Sequence, residues 1–375
     1  MKEISPAVYT VLKILNDHAY EAYLVGGALR DVLLGKKASD YDITTSADPN
    51  AIRMVFSDHR LYDIGKKHGT VGVLIDDETI EITPFRLEAE YSDHRHPDKV
   101  SFTDSLLEDL KRRDFTINAL CMDRNDEIKD LFGGIDDLNN RIIRCIGDPE
   151  VRFNEDGLRI LRAVRFMSQL NFTIEEETSA KIISCKDLLR YISAERKREE
   201  LLKTLHYPAA FKALEPYIEV YRTFMNIDVP DRQINNFSNP LFALACLTHN
   251  CDNDFHALKY SNEECELLKN LIQASHIDPD DDHQFISILS SIYQEQILQY
   301  LEEYHQKDFK ERFSKLNRYM IMLNDLKISG SEIENCGFSS TQISQVKDIL
   351  LDLIHHQQLE NDPEALHKQV QEIIL

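Results

Sequence analysis

Two aspartates separated by one residue, Asp40 and Asp42, are the clearest candidates for chemistry in this sequence. They lie in the run Asp40-Tyr-Asp-Ile-Thr44, which is typical of a short β-strand. Because alternate residues of a strand point to the same side, both carboxylates should project together, with Tyr41 and Ile43 turned into apolar packing. Such a pair repels unless a cation lies between its members, and hard divalent cations, Mg²⁺ above all, suit oxygen ligands. The spacing therefore predicts a metal site.

A diglycine, Gly26-Gly27, lies just upstream of this pair. It follows an apolar tripeptide and precedes a helical pattern over residues 28–34. Glycines at a helix start let backbone N–H groups approach a phosphate closely. Each feature is common without such a role, since Gly-Gly often precedes a helix and Asp-x-Asp often lies at a solvated edge. Their order and proximity favour a metal-binding pair beside a phosphate-binding turn, the minimum equipment for nucleotidyl transfer.

The elements that position these residues belong to the first 146 residues, where short strands and helices alternate. From Asn154 onward the pattern is helical, and the change lies near Gly147-Asp148-Pro149. The sequence thus predicts an α+β fold, with a mixed sheet and helices in an N-terminal head followed by an elongated all-α part. The predicted strands are AYLVGG, DYDIT, the LYDIG region, TVGVLID, TIEITPF and RIIRCIG, and the early helices are 1–20, 28–34, 49–56, 105–119 and 134–140.

Composition narrows the class of protein. With 375 residues, 42% apolar and 29% charged, the sequence is typical of a soluble globular protein of two or three domains. The longest strongly apolar run, residues 241–247, is too short for a membrane span, and the N-terminus does not read as a signal peptide. Seven scattered cysteines without CxxC indicate reduced thiols, a cytoplasmic location and no zinc site, and the histidines show no paired metal spacing. Because the net charge is −22, any RNA would need basic side chains gathered on one face.

Three longer elements complete a resemblance to a known family. They are Lys111-Arg-Arg-Asp-Phe-Thr-Ile-Asn118, Asn154-Glu-Asp-Gly-Leu-Arg159 and Ser193-Ala-Glu-Arg-Lys-Arg-Glu199. With the GG-x-x-R-D and D-x-D spacing, the sequence resembles the nucleotidyltransferase superfamily of DNA polymerase β. Within it, the match is to the branch that holds class II tRNA nucleotidyltransferases (CCA-adding enzymes) and bacterial poly(A) polymerases. The match is close over about residues 20–205 and looser beyond.

The resemblance implies a division into four parts. Residues 1–146 would form a polymerase-β-like catalytic head, 147–206 a neck that selects the base, 207–310 a helical body and 311–375 a helical tail that binds tRNA. The tail resembles the part that holds the tRNA elbow, although a usual Gly-Pro turn is replaced by Ser339-Ser-Thr-Gln342. From the helical pattern alone, plain stability packing explains the long helical part equally well.

The resemblance also assigns roles at the reacting end. Asp40 and Asp42 would be catalytic and would hold two Mg²⁺ ions. Glu81, in the alternating strand 79–83, would be a third metal ligand or else a salt-bridged structural residue. The residues expected to bind the nucleotide there are Gly27, Arg30, Arg113 and Asn118.

Arg30 and Arg113 also have alternative explanations. Arg30 has an alternative explanation as an ion pair with Asp31, and a basic run such as 111–113 is commonly a solvated helix face. Asp114 would orient Arg113 and Asn118.

Asp156 and Arg159 are the candidates for base selection. We expect Asn154 to cap a helix on which these two residues lie one turn apart, where they form either a salt bridge or a reading edge. A carboxylate beside a guanidinium accepts an amino donor and donates to a ring acceptor, which fits cytosine and adenine. Uracil and guanine place a carbonyl where the amino group would be, so Asp156 would repel them.

Two arginines follow along the same helix. Arg162 would flank the nucleotide, and Arg165 would meet phosphate or primer RNA. The element at 193–199 would brace the neck, so Glu195, Arg196 and Glu199 are predicted to be structural.

The activity implied is addition or repair of the tRNA 3′-terminal CCA from CTP and ATP. Residues 85–101 are predicted to form a mobile segment, and its full length argues for addition of the terminal A. The alternatives are a bacterial poly(A) polymerase, an A-adding enzyme and an inactive RNA-binding module. The sequence 65–70 favours the CCA-adding version over the poly(A) polymerase, and an inactive module should have lost Asp40, Asp42 or Arg159. The expected partners are the tRNA 3′ end and elbow, with no membrane and a homodimer as a further option.

Overall fold

The computed structural model describes residues 4–38, 40–65, 69–89, 99–230 and 237–373. The chain divides into two compact units, Met1–Met225 and Asn226–Leu375. The predicted head and neck, 1–146 and 147–206, lie in the first unit, and the predicted tail, 311–375, lies in the second. The predicted body, 207–310, includes the division point. The functional division into four parts stays a prediction.

The described strands all lie in the first unit, and all but one lie before residue 147, as the sequence pattern predicts; the exception, Thr173–Ile174, lies in the part that was predicted to be helical. Their bounds are β1 Ala22–Val25, β2 Asp42–Thr45, β3 Arg60–Gly65, β4 Thr70–Ile75, β5 Glu78–Pro84, β6 Arg86–Ala89, β7 Lys99–Phe102, β8 Cys121–Met122, β9 Ile128–Lys129, β10 Ile142–Ile143 and β11 Thr173–Ile174.

A seven-stranded mixed sheet carries the centre of this unit, in the order β3-β4-β5-β2-β1-β8-β9. Strand β2 pairs antiparallel with β1 and parallel with β5, and the other pairs are antiparallel. Strands β6 and β7 form a separate antiparallel hairpin, and β10 pairs parallel with β11. The predicted mobile segment at 85–101 includes residues 90–98, which lie outside the described residues.

The helices of the first unit surround this sheet and continue after it. Their bounds are α1 Pro6–Asp17, α2 Gly26–Leu33, α3 Pro49–Val55, α4 Leu106–Lys111, α5 Gly134–Asn140, α6 Pro149–Glu155, α7 Leu158–Leu170, α8 Glu176–Ser184, α9 Ala194–Leu205, α10 Ala210–Leu214 and α11 Ile218–Tyr221. The predicted helix at 105–119 is shorter, because α4 ends at Lys111 and a separate 3₁₀ turn follows at Thr116–Asn118.

Local sequence explains why the central elements form. The four residues of β1, Ala-Tyr-Leu-Val, are all buried, as expected for a strand covered on both faces. Helix α1 begins with Ser5 as a side-chain cap and Pro6 at its first position, and it buries one apolar face. That face packs on β1 and β5. The core of the sheet is therefore specified by short-range patterns.

One predicted helix start is wrong. Asn154 does not cap a helix, because it lies inside α6, which begins after the cap Asp148. Helix α6 ends at Glu155, Asp156 has an extended backbone, and α7 begins after Gly157. Asp156 and Arg159 therefore do not lie on one face of one helix; Asp156 lies in the break between two.

The second unit is helical, as predicted for the C-terminal part. Its helices are α12 Pro240–Thr248, α13 Asn262–Ser275, α14 Asp282–Leu289, α15 Gln294–His305, α16 Lys310–Leu316, α17 Gly330–Asn335, α18 Ile343–His355 and α19 Pro363–Glu372. Among the described residues, no helix combines the length and the apolar character that a membrane crossing needs. The predicted α+β fold class, with a mixed-sheet head and a helical C-terminal part, is confirmed.

Gly134 provides a test of the packing in the first unit. A Cβ on Gly134 would lie 2.4 Å from the carbonyl oxygen of Thr116, on the turn that carries Asn118. We expect Gly134→Ala to lower the free energy of unfolding by about 3 kcal/mol, because the backbone oxygen must move. Urea unfolding followed by circular dichroism measures the loss.

Its neighbour Gly133 is the matched control. It has a φ of +75° and open space around the Cβ position, so Gly133→Ala should cost only the strain of the left-handed backbone, about 1 kcal/mol. Equal losses for both variants would contradict the predicted clash.

Candidate active site

A polar cavity of about 470 Å³ in the first unit brings most of the predicted site residues together. Seven arginines and three aspartates line it, so a basic concave surface does exist in this acidic chain. Its lining is Gly26, Gly27, Arg30, Asp42, Arg112, Arg113, Asp114, Asn118, Asp156, Leu158, Arg159, Arg162, Arg165, Phe166, Gln169 and Arg196. Asp40 and Glu81 are the two predicted residues outside this lining.

The sheet register brings together two of the three carboxylates that were predicted to bind metal. Asp42 is the first residue of β2, level with Val25 of β1 and with Glu81 of the parallel strand β5. Asp40 lies two residues ahead of β2, so the predicted strand holds Asp42 but does not extend back to Asp40. Glu81, for which the sequence left a metal-ligand and a structural role open, is thus a direct neighbour of Asp42 in the sheet.

The carboxylates affect one another's protonation. Burial of the Asp42 carboxylate raises its pKa. The positive charge of Arg113 opposes this rise, and the negative charge of Asp40 increases it. Loss of hydration also raises the pKa of Glu81, and the charges of Asp42 and Asp40 add to it. A group of acidic oxygens that Arg113 offsets only in part is a donor set that suits Mg²⁺, so these residues fit that ion.

The diglycine forms a tight turn next to Asp42. Gly26 has a φ of +76°, which favours glycine, and a Cβ there would lie 3.7 Å from Asp42 Oδ2 and 3.6 Å from Arg113 Nη1. Helix α2 begins at Gly26, and its cap residue Val25 makes no side-chain hydrogen bond. The first N–H groups of α2 therefore lie at the cavity without a side-chain cap, as an anion-binding turn requires.

Arg30 forms the ion pair with Asp31 that the sequence left as one alternative, and its nucleotide-binding role stays a prediction. Its Nη2 lies 2.8 Å from Asp31 Oδ1, and it also lines the cavity. Its Nη1 donates to Asn118 Oδ1 over 2.7 Å. Asn118 in turn donates to Asp114 Oδ1 over 3.0 Å. The predicted nucleotide-binding residues Arg30 and Asn118 are therefore directly hydrogen-bonded to each other.

Asp114 orients Asn118, as expected, and it also holds Arg162. The Nε and Nη2 atoms of Arg162 donate to Asp114 Oδ2 over 2.8 and 2.6 Å. Burial alone would raise the pKa of Asp114, but Arg162 and Asn118 outweigh it and hold that pKa far below its ordinary value. Asp114 is thus an anion that fixes two side chains of the lining.

The neighbouring Arg113 has a different partner. Its Nη2 lies 3.4 Å from Asp109 Oδ2, and its buried Nε–H forms no hydrogen bond within the described part of the chain. Arg113 therefore keeps donor capacity near Asp42.

The base-selecting candidates contact other residues of the neck. Arg196 donates to both carboxylate oxygens of Asp156, over 3.2 and 2.7 Å, and Asp156 Oδ1 also accepts from Leu158 N over 3.0 Å. Arg159 is buried, forms an ion pair with Glu155 and donates to the carbonyl oxygens of Arg152 and Arg112 over 3.0 and 2.8 Å. Both residues line the cavity.

Three residues at the site were missed or assigned only a structural role. Arg196 was predicted to be structural, yet it lines the cavity and holds Asp156. Glu200, one residue beyond the predicted brace Glu199, was missed; it is buried and lies 2.7 Å from the predicted site residue Arg165. Asp109 is fully buried behind Arg112 and Arg113. The family element at 193–199 was the available signal for Arg196; buried acids give none in a sequence.

A separate polar group lies in the second unit. His283 Nε2 and His356 Nδ1 lie 3.3 and 3.4 Å from the two carboxylate oxygens of Asp352, and the two rings stack with centroids 3.7 Å apart. Within the described ranges it is the one set of three His, Cys, Asp or Glu residues whose ligand atoms all lie within 4.8 Å. The sequence shows no paired histidine spacing, so it did not predict this group, which the fold brings together. By the same measure, the oxygens of Asp40, Asp42 and Glu81 are more widely spaced.

Comparisons with known proteins agree with this geometry. Residues 22–144 match the family described as Poly A polymerase head domain, and residues 171–219 match the probable RNA and SrmB-binding site of polymerase A. Residues 22–144 are thus similar to a nucleotidyltransferase head of the poly(A) polymerase type.

Relatives narrow the family. A CCA-adding enzyme of Lactobacillus helveticus is 51% identical over 221 residues, which cover 59% of this chain and 54% of the relative. The structure of the Bacillus stearothermophilus CCA-adding enzyme in complex with CTP has a TM-score of 0.75 and 28% identity, and it covers 98% of both chains. A Thermotoga maritima CCA-adding enzyme in complex with tRNA shares the fold, with a TM-score of 0.68 at 20% identity over 99% of this chain and 96% of that one.

The resemblance inferred from the motifs is confirmed, because the chain is similar to CCA-adding enzymes both in sequence and in fold. The sequence matches span about half the length of the curated relatives.

The raised pKa values of Asp42 and Glu81 predict that these two carboxylates destabilise the fold at neutral pH. Because the folded state holds protons on Asp42 and Glu81 more tightly than the unfolded state, stability falls as pH rises from their ordinary values through the raised ones. We expect Asp42→Asn to raise the unfolding temperature by a few degrees at pH 7 without divalent cations. Circular dichroism melting measures this.

Exposed Asp58 gives a control, since Asp58→Asn should leave the melting temperature unchanged. Adding Mg²⁺ should stabilise the wild type more than Asp42→Asn. A lower melting temperature for Asp42→Asn than for the wild type would show that these carboxylates do not destabilise the folded state.

Proposed function

We propose that the chain is a tRNA nucleotidyltransferase that builds or repairs the 3′-terminal CCA of tRNA from CTP and ATP, without a nucleic-acid template. The observation that carries this proposal is that one cavity holds Asp42, the Gly26–Gly27 turn, a set of arginines, and both Asp156 and Arg159. Phosphate-binding and base-reading chemistry are therefore available to the same nucleotide. Similarity to CCA-adding enzymes supports the choice of substrates.

The reaction joins the primer 3′ oxygen to the α-phosphorus of the nucleotide and breaks the bond to pyrophosphate. Asp40, Asp42 and Glu81 would hold Mg²⁺, two ions in all. When bound, the ions lower the pKa of the attacking hydroxyl and neutralise charge on the leaving pyrophosphate. The chain's own contribution is to place these carboxylates beside the turn at Gly26.

The triphosphate would lie between that turn and the arginines. The first N–H groups of α2, including that of Gly27, would donate to its oxygens. Arg113, with unused donor capacity, and Arg30 would bind the same group bidentately. Asn118, held by Asp114 and Arg30, would contact the ribose or the triphosphate.

The base would be read by Asp156 and Arg159. A carboxylate offers about four lone-pair directions, and Arg196 and the Leu158 N–H take three of them. One direction is left for the amino group that cytosine and adenine share. Arg162 would flank the nucleotide, and Arg165 would meet phosphate or primer RNA.

Location and assembly are also proposed. We propose that the protein is cytoplasmic, which the scattered cysteines without a CxxC pair support, and that it binds the tRNA 3′ end and elbow, with a homodimer as one option for its assembly. The tail proposed to bind the elbow lies in the second unit.

An incorporation assay tests the activity. Labelled CTP or ATP is offered separately, and then together, to tRNA lacking its last three nucleotides. We expect two additions from CTP alone and one further addition when ATP is present, because the site accepts both bases but the product ends at CCA. Asp42→Ala should lower incorporation of both nucleotides by at least about a thousandfold while tRNA binding is kept.

The other outcomes separate the alternatives. A long A ladder would identify a poly(A) polymerase, addition of A only to tRNA ending in CC would identify an A-adding enzyme, and no product would identify an inactive module. Undiminished turnover by Asp42→Ala would remove Asp42 from the metal site.

Base selection has its own test. Asp156→Ala should lose discrimination of CTP against UTP by about tenfold to a hundredfold, because a charged hydrogen-bond acceptor is removed. Arg196→Ala should relax discrimination less, about fivefold, because the carboxylate stays but loses its orientation. The measurement is the ratio of kcat/KM for CTP and UTP.

Exposed Arg190 serves as the control, since Arg190→Ala in the same unit should keep the wild-type ratio. Unchanged selectivity in Asp156→Ala would refute the reading role of Asp156.

A further inference from the structure

Asp109, in α4, is a fully buried carboxylate that none of the proposed roles uses. A buried charge is costly unless partners compensate it, so its contacts show what the fold gains from it. Burial alone would raise the pKa of Asp109, but Arg112 and Arg113 outweigh burial and keep that pKa below its ordinary value. Asp109 is therefore an anion inside the head.

One of its oxygens faces the reacting end of the cavity. Asp109 Oδ2 accepts from the Thr44 hydroxyl over 3.1 Å and lies 3.4 Å from Arg113 Nη2. Thr44 lies two residues after Asp42 on β2, so both side chains point to the same face of the sheet. Arg113 approaches Gly26 and Asp42 with its other nitrogen.

The other oxygen, Asp109 Oδ1, faces the end of the cavity where the base is proposed to be read. Asp109 Oδ1 accepts from Nε and Nη2 of Arg112 over 3.0 and 2.7 Å, and from the backbone N–H of Arg86 over 3.3 Å. The carbonyl oxygen of Arg112 accepts from Arg159 Nη2 over 2.8 Å. Asp109 thus reaches the proposed base reader through a single intervening residue.

We propose that Asp109 is a positioning residue. It fixes the position of the triphosphate-binding arginine relative to the base-reading residues of the site. The inference rests on the proposed function. It goes beyond it by predicting that one buried charge, which does not line the cavity, controls both nucleotide affinity and base choice. A merely structural acid would affect stability alone.

The test is Asp109→Asn, which keeps the shape and one acceptor but removes the charge. We expect the KM for CTP and for ATP to rise about tenfold or more, since hydrogen bonds to a charged group are lost. We also expect misincorporation of UTP relative to CTP to rise about fivefold, because Arg112 and the carbonyl that holds Arg159 are released together. Calorimetric binding of CTP without primer checks the affinity independently of turnover.

Asp137 supplies a matched control. It is also a buried helical aspartate, it accepts from the Thr116 hydroxyl over 2.7 Å and pairs with Arg144, and it does not line the cavity. Asp137→Asn should lower the unfolding temperature about as much as Asp109→Asn but keep the wild-type ratio of UTP to CTP incorporation. Equal selectivity in both variants would overturn the proposal.

Two further variants extend the test. The first serves if Asp109→Asn does not fold, and the second tests the coupling between Asp109 and Arg113 directly. Thr44→Val removes the hydroxyl that donates to Asp109 Oδ2 over 3.1 Å and, more weakly, to the Thr83 carbonyl oxygen over 3.3 Å, and it should raise both KM values about threefold with the fold intact. In Asp109→Asn combined with Arg113→Gln, the KM should rise no more than in the more affected single variant, because both changes remove one arrangement. A multiplicative loss in the double variant would show that Asp109 acts independently of Arg113.

The proposal and the proposed function fail in different ways. If wild-type protein adds no nucleotide, the proposed function fails. If the wild type builds CCA and Asp109→Asn matches it in KM, CTP affinity and selectivity, only the positioning role fails.

Discussion

The site depends on the register of β2 between β1 and β5. That register places Asp42 level with Val25, immediately before the Gly26 turn, and level with Glu81 on the other side. A slip by one residue would turn Asp42 to the opposite face and bring Ile43 into the cavity. Buried Ile43, Thr44 and Thr45 specify the register because each has a place in the core of the sheet. A polar site is thus held in position by apolar packing directly beside it.

Acidic side chains around the cavity hold its arginines in place. Each of the seven arginines that line the cavity has a carboxylate partner, in the pairs Arg30–Asp31, Arg112–Asp109, Arg113–Asp109, Arg159–Glu155, Arg162–Asp114, Arg165–Glu200 and Arg196–Asp156. A guanidinium has five donors, so one paired edge fixes its plane and leaves others for a ligand. This arrangement orders the lining before a nucleotide binds, which lowers the entropy cost of binding.

The sequence predicted what depends on local pattern. The buried run of β1, the Gly-Gly start of α2 and the change to an all-helical chain follow from short-range rules, and the structure has all three. The break between α6 and α7 was missed because Asn154 was expected to cap a helix, whereas the helix that contains it begins after Asp148. A Cβ on Gly157 would lie 3.1 Å from the carbonyl oxygen of Leu188, a close approach that only the folded chain reveals. Asp109 was missed for a related reason, since a charged residue in a helix normally indicates a solvated face.

The distribution of charge limits how a nucleotide can enter this site. Most of the positive charge of the lining is balanced by the acids that hold it, and the chain as a whole carries −22, so long-range attraction for a polyanion is weak. Asp40, Asp42 and Glu81 would repel a triphosphate placed at the Gly26 turn. A divalent cation held by these carboxylates would offset that repulsion and would also reduce the repulsion among the carboxylates themselves. Affinity for the nucleotide should therefore depend on the cation far more than a simple arginine-lined pocket would require.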